Sequence, residues 1–279
     1  MIDLHTHSNF SDGTDSPERL ADLAASAGCA AFALTDHDGV DGLARCHEAA
    51  QAKGVELVPG CEISCSGPSG SMHVLVYFVG EEDGPMQQAL LGLQKSREHR
   101  NQVMIDQLAR LGLSVTYEEV LEEAGGHGVG RPHVAAVLVR KGTVATMDEA
   151  FDQWLSPGRP GYVEKQRLGP DEATRLAHSS GGVAVLAHPL SLGLSASELE
   201  RVVAELSGLG LDGLEAIYAG YSPDQRHHLE DMARRQGLAV TGGSDYHGRY
   251  KPGLELGSGR GDLMVPDQLL SSLRDRIPA

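Results

Sequence analysis

The chain has 279 residues and a formal net charge of −16, with 41% hydrophobic and 22% charged residues. That balance belongs to a globular protein with a substantial core; it includes no apolar run able to span a bilayer, and its acidity excludes a broad basic face for holding long nucleic acid. No basic-then-apolar leader opens the sequence, so a cytoplasmic location is expected, and Cys29, Cys46, Cys61 and Cys65, lacking any CxxC pair, are expected as reduced thiols.

Ile2-Asp3-Leu4 reads as a short strand. Residues i and i+2 of a strand point the same way, so His5 and His7 present two imidazoles to one point. Such a pair suits zinc, iron or manganese. Asp12 follows on a loop between Ser11 and Gly13, within reach of the same cluster. Ser16-Pro17-Glu18 supplies an N-cap, a first-turn proline and an acid, and predicts a helix that stops at Gly28. Ala30 to Thr35 is a buried strand ending in Asp36-His37-Asp38, and a helix from about Val40 to Lys53 stops at Gly54. Val55 to Val58 is the third strand, with Pro59-Gly60-Cys61-Glu62 at its carboxyl end. Cys61 and Cys65 have the look of a zinc knuckle, but no second cysteine pair completes four ligands. Met72 to Val79 is the fourth strand, too continuously apolar for a one-sided sheet.

From Pro85 to Trp154 the pattern is helical: a long basic, amphipathic segment through Leu91, Arg97, Arg100, Ile105 and Leu108, then Tyr117–Ala124, Pro132–Lys141 and Met147–Trp154, separated by glycine-rich punctuation. This predicts a helical insertion over 85–163 between two parts, 1–84 and 164–279, of one α/β body. Alternation resumes with a helix from Pro170 to Ser179, strand Val183–Ala187 ending in His188-Pro189, helix Ser195–Leu206 and strand Leu214–Tyr218. Helix Pro223–Gln236, strand Ala239–Thr241 leading into Gly242-Gly243-Ser244-Asp245-Tyr246-His247, and a last helix from about Pro266 to Arg276 complete the chain.

Strand followed by helix, about seven times over, is the signature of parallel βαβ units, and in α/β barrels the loops after the strands converge on one site. Nine groups fall near strand ends: His5, His7, Asp12, His37, Glu62, His73, His188, Asp245 and His247. Buried charges require partners or metals, and nine donors exceed the needs of one tetrahedral ion. Two or three divalent ions are expected. His73 fits poorly, since it opens its strand and a simple parallel barrel puts that end away from the site. Either the strand begins earlier or the barrel is distorted there.

His5-Thr6-His7 with Asp12, Thr35-Asp36-His37, Gly60-Cys61-Glu62, His73, Ala187-His188-Pro189 and Ser244-Asp245-Tyr246-His247 together resemble the motifs of the PHP (polymerase and histidinol phosphatase) family of metal-dependent phosphoesterases. Within it the chain is similar to the branch with a helical insertion that hydrolyses nucleoside 3′,5′-bisphosphates and short 5′-phosphorylated oligonucleotides, here carrying Gly130-Arg131-Pro132-His133. The resemblance implies a distorted (β/α)7 TIM-like barrel with an inserted small all-helical domain acting as a substrate lid. It implies manganese, iron or zinc in up to three positions: one held by His5, His7, Glu62 and Asp245, a second sharing Glu62 and adding His73 and His188, a third held by Asp12, His37 and His247. Glu62, Asp245 and His188 then stand at the reacting centre. Metals about 4 Å apart activate a bridging water and stabilise the leaving oxygen of a phosphate monoester. The expected substrate is a nucleoside bisphosphate, AMP or a short 5′-phosphorylated oligonucleotide.

The transferring phosphoryl needs positive donors. Arg131 is the first candidate, with His133 beside it, since an insertion can bring a bidentate fork to a phosphate; the alternative for Arg131-Pro132-His133 is an exposed helix start. Lys165, Arg167, Arg249 and Lys251 are weaker candidates near strand ends, for which solvation is the favoured reading; His47, His99, His178, His227 and His228 read as solvated, while His127 sits in a glycine-rich loop without a clear role. Asp36 and Asp38 either orient His37 or cap the next helix. Gly242-Gly243 permits close backbone approach. An amidohydrolase also opens with HxH, but typically bridges its metals with a carboxylated lysine, and Met72–Val79 contains none. Histidinol phosphatase is disfavoured by the insertion, and an idle metal-binding module by the presence of every ligand.

Overall fold

The computed structural model describes residues 1–68, 70–80 and 84–278. Among them, the apolar runs of the sequence form one seven-stranded sheet whose spatial order is the chain order: β1 (Ile2–Asp3), β2 (Ala31–Leu34), β3 (Glu56–Gly67), β4 (Gly70–Tyr77), β5 (Val183–Leu186), β6 (Gly213–Tyr218) and β7 (Ala239–Gly243). Around it lie α1 (Pro17–Ser26), α2 (Leu43–Lys53), α7 (Pro170–Ser179), α8 (Ala196–Gly208), α9 (Pro223–Arg235) and α10 (Gln268–Arg274). The helices between β4 and β5 are α3 (Pro85–Arg110), α4 (Tyr117–Glu123), α5 (Arg131–Arg140) and α6 (Met147–Ala150), the last running on as a wider turn over Phe151–Leu155. No helix among the described residues is long and apolar enough to cross a membrane.

The sheet comes close to closing. The Leu4 N–H donates to Gly242 O at 3.0 Å and the Asp245 N–H to His5 O at 2.8 Å, so β1 and the end of β7 run side by side. Gly243 makes this approach possible: a Cβ there would lie 2.5 Å from His5 Cβ and 2.6 Å from His5 N.

One strand runs backwards. β4 is antiparallel to both β3 and β5, while the other pairings are parallel. The expectation of seven parallel units fails here because β3 and β4 are joined by too few residues for a crossover, which needs a dozen or more. The third strand is also longer than the sequence suggests, and Glu62 lies within it rather than after it. Both differences resolve the difficulty with His73. A residue near the start of a reversed strand sits at the rim where its parallel neighbours end.

β4 is continuously apolar because both of its faces are buried. Leu75 and Tyr77 pack inside with Leu4, Val58 and Val185, whereas Val74 and Val76 pack outside against Met86, Leu90 and Ala177. α3 has a similar double duty along its length. Met86, Leu90 and Leu93 join the barrel's outer core, and Met104, Ile105 and Leu108 join a separate core with Val134 and Leu138 of α5. Between these halves, in phase with the same buried stripe, are Arg97, Arg100 and Asn101. Residues 81–83, where the chain passes from β4 to α3, lie outside the described residues.

Gly243→Ala is expected to cost about 1–3 kcal/mol through overpacking against His5. The check is the denaturant midpoint, which should fall with the slope unchanged; an unaltered midpoint would show that the β1–β7 seam tolerates a methyl.

Candidate metal centre

The rim at the carboxyl ends of the parallel strands gathers all nine groups. His5 and His7 follow β1, His37 follows β2, His188 follows β5, and Asp245 and His247 follow β7; Glu62 and His73 come from the β3–β4 hairpin and Asp12 from the loop before α1. Glu62 is at the centre. Its Oε2 lies 3.3 Å from His5 Nε2, 3.2 Å from His7 Nε2 and 3.2 Å from His37 Nδ1, and its Oε1 lies 2.9 Å from both His73 Nδ1 and His188 Nε2. Asp245 Oδ1 faces His7 at 3.4 Å and His247 at 3.3 Å, and Asp12 Oδ1 faces His247 Nε2 at 3.2 Å.

Electrostatics follow from this packing. Burial disfavours charge on Glu62, yet the imidazoles of His37, His73 and His5 hold its carboxyl well below the usual range. Burial likewise opposes charge on His5, but Glu215, Asp245 and Glu62 outweigh it and raise the imidazole well above its ordinary value. His37 goes the other way, pushed down by burial despite Glu62 and Asp12.

The donors fit divalent ions. Three overlapping sets of ligand atoms each fall within 4.8 Å: His7, Asp12, His37 and His247; His5, His7 and Asp245; His37, Glu62 and His73. Relative to the division expected from the sequence, His7 and His37 each belong to two sets, and His188 joins through Glu62. Asp12 Oδ1 and His37 Nδ1 are buried without a hydrogen-bond partner, and His5 Nε2 stands 3.1 Å from His7 Nε2. Nitrogen lone pairs and carboxylate oxygens converging at such range are a donor set suited to divalent metal ions.

The backbone is bent to the task. Asp38, His188 and Asp245, none of them glycine, have φ of 54°, 26° and 55°. Left-handed geometry in such residues persists only where surroundings over-determine it, as at functional sites. Asp245 is held by Tyr218 Oη, which donates to its Oδ2 at 2.7 Å, and by the Lys251 ammonium.

The model of the PHP domain matches residues 3–156. The chain belongs to the PHP domain family. It is 31% identical over 257 residues to the 3′,5′-nucleoside bisphosphate phosphatase of Chromobacterium violaceum, covering 92% of this chain and 90% of that protein. It is 34% identical over 259 residues to the 5′-3′ exoribonuclease Rnm of Salmonella typhimurium, covering 92% and 88%. A Bifidobacterium adolescentis structure described provisionally as a metal-dependent phosphoesterase superimposes with a TM-score of 0.86 at 30% identity, covering 100% and 96% of the two chains. A Chromobacterium violaceum structure described as an amidohydrolase with bound sulfate gives 0.89 at 30%, covering 99% and 97%. This PHP protein is a metal-dependent hydrolase of phosphoester bonds.

Several residues around the PHP centre escaped the sequence reading. Glu215, on β6, sets His5 Nδ1 against its Oε1 at 2.8 Å and accepts the His188 N–H on Oε2 at 2.6 Å, fixing two candidate ligands at once. Its signal was a single carboxylate in an otherwise apolar strand. Arg97 pairs with Asp38, and Lys165, read as solvated, also pairs with Asp38 and donates to Ser64 Oγ. Burial near Arg97 lowers the Lys165 ammonium to about 7. Asp38 thus anchors cations beside His37, and Asp36 instead accepts from Ser8 and Ser11. Lys251, also read as solvated, rests on Asp245, whereas Arg249 is exposed and paired with Glu123. His178, read as solvated, is part-buried against Asp212 at 2.8 Å; His47, His99, His227 and His228 are exposed. His133 is buried and accepts the Gly130 N–H on Nδ1 at 2.9 Å, which caps α5, and burial lowers it to about 4.

Glu215→Gln should weaken manganese affinity by about 10- to 100-fold while the protein stays folded, because carboxylates behind ligating histidines raise their basicity and fix their orientation. Calorimetric titration of manganese reads the effect; wild-type affinity in the variant would remove Glu215 from this role.

Proposed function

We propose that this enzyme releases phosphate from small nucleotides: nucleoside 3′,5′-bisphosphates, AMP or short 5′-phosphorylated oligonucleotides. The observation that carries the reading is a buried cation without a counter-ion next to the histidine cluster. Arg100 has no carboxylate in ion-pair range among the described residues, and its buried Nε has no hydrogen-bond partner. It lines a cavity of about 120 Å³ with Arg97, Arg131, Lys165 and Arg167, and Asp12, His37 and His73 also border it. Burial and the neighbouring Arg97 and Arg131 lower its guanidinium to about 9. Unpaired buried charge is costly, and a phosphate supplies the missing anion with geometry suited to arginine forks.

In this reading residues 85–163 act as an inserted helical domain that closes over substrate, since α3 and α5 contribute Arg97, Arg100 and Arg131. The Arg131 guanidinium lies 5.9 Å from the Phe151 ring centroid and 5.7 Å from that of Tyr162, which steers it along the cavity wall. Glu62 and the eight side chains gathered with it would hold two or three manganese, iron or zinc ions. When bound, those ions supply Lewis-acid charge and lower the pKa of water. Glu62, Asp245 and His188 would hold the ions at the reacting centre, and Lys251 and Tyr218 keep Asp245 in place. A cavity lined by five cationic side chains suits a substrate with more than one phosphate charge, and repels the ammonium of an amino alcohol phosphate such as histidinol phosphate.

The manganese-loaded protein should release phosphate from adenosine 3′,5′-bisphosphate and from short 5′-phosphorylated RNA, and lose this on chelation or in Asp245→Asn. Arg100→Met should lower kcat/KM about 10- to 100-fold, the scale of one charge-assisted contact. Absence of release from any nucleotide by metal-loaded protein would contradict the proposal.

A further inference from the structure

A second cavity, of about 460 Å³, adjoins the basic one, and His37 and Arg97 border both. Its walls are of a different kind. The rings of Phe10 and His127 lie parallel, with centroids 4.7 Å apart and planes 11° apart, and Tyr117 and Leu121 also line the cavity. Its polar lining includes Asp41, Glu98 and Gln94, whose amide donates to Asp41 Oδ2 at 2.9 Å.

The ring pair is built rather than incidental. His127 sits in a loop whose Gly125, Gly126 and Gly128 have φ of 68°, 87° and 49°. A Cβ at Gly128 would lie 2.3 Å from Phe10 O and 2.4 Å from Ser11 O, so only glycine lets this loop press against the chain that carries Phe10. Arg45 stacks 5.5 Å from the centroid of the Phe10 ring. The loop thereby brings an aromatic side chain of the helical segment onto one that follows β1.

We propose that this second cavity holds the nucleobase of the substrate, stacked on the aromatic wall, and that it favours bases bearing an amino group. The assignment rests on the nucleotide reading above. Charge sorts the two ends of such a substrate: a further phosphate goes to the cationic cavity, and the carboxylates of Asp41 and Glu98 repel it from this one. Those carboxylates only accept hydrogen bonds, so they suit the exocyclic amino groups of adenine, cytosine and guanine better than the carbonyls of uracil. Stacking on protein rings is available to every base because each has a π-face.

The test is calorimetric binding of non-hydrolysable phosphonate analogues of AMP, UMP and ribose 5-phosphate to the manganese-loaded protein, to His127→Ala and to Phe10→Leu. The adenosine analogue should bind about tenfold or more tightly than the ribose analogue, and more tightly than the uridine one. Either substitution should erase the margin over ribose and leave ribose binding unchanged. Equal affinity for adenosine and ribose analogues, a margin that survives both substitutions, or equal loss of both ligands in both variants would overturn the base site; equal adenosine and uridine affinities would overturn the amino preference. The outcome is separate from that of phosphate release, because a base-dependent margin with no hydrolysis would defeat the catalytic reading alone.

Discussion

Five imidazoles converge on one carboxylate. Glu62 is almost completely buried, and the ring nitrogens of His5, His7, His37, His73 and His188 all lie within 3.3 Å of its two oxygens. A lone buried carboxylate would be forced neutral, but this one is held charged by its neighbours, and those neighbours are delivered by four different strands or the segments that follow them. The barrel can be understood as the scaffold that this convergence requires. Near-closure of β1 onto β7 puts His5 beside Asp245, and Gly243 allows it.

The reversal of β4 has a chemical result. It turns a hairpin into a two-residue donor, bringing Glu62 and His73 to one point from paired strands, where a parallel unit would have delivered only the residue after its strand. The same hairpin extends past the rim, and Leu168, from the chain returning out of the helical segment, hydrogen-bonds to it at Ser64 and Ser66. Lys165, three residues before Leu168, is therefore carried onto Ser64 and Asp38. α3 completes the arrangement from above. Where its apolar stripe passes from one core to the other, it presents Arg97, Arg100 and Asn101, so the seam between the cores is also the polar wall of the site.

Six of the nine donor-type groups were legible in sequence from local geometry: i and i+2 after a strand for His5 and His7, and the turn after a strand for His37, His188, Asp245 and His247; Glu62 and His73 reach the same rim through the β3–β4 hairpin, which local pattern does not reveal. The strand count was legible because β2, β4 and β5 are apolar runs and the rest fall between helical patterns in regular alternation. Direction was not. The continuous apolar character of residues 72–79 reflects burial on both faces, which parallel and antiparallel central strands share, and only the short link to β3 distinguishes them. Lys165, Arg97 and Arg100 were misread or passed over because an arginine or lysine on a helix or loop is usually solvated. Their burial depends on which core meets which, a tertiary fact. The available clue was phase, for Arg97 and Arg100 occupy positions that Leu93 and Met104 mark as inward-facing.

The central claim is that Glu62 joins the metal positions into one unit, and the most direct test is metal content per chain after manganese loading and desalting, in wild type and in Glu62→Gln. Glu62 lies against histidines of all three donor sets, so two or three ions are expected in the wild type and fewer in the variant. Equal content in the two proteins, or none in the wild type, would contradict the account.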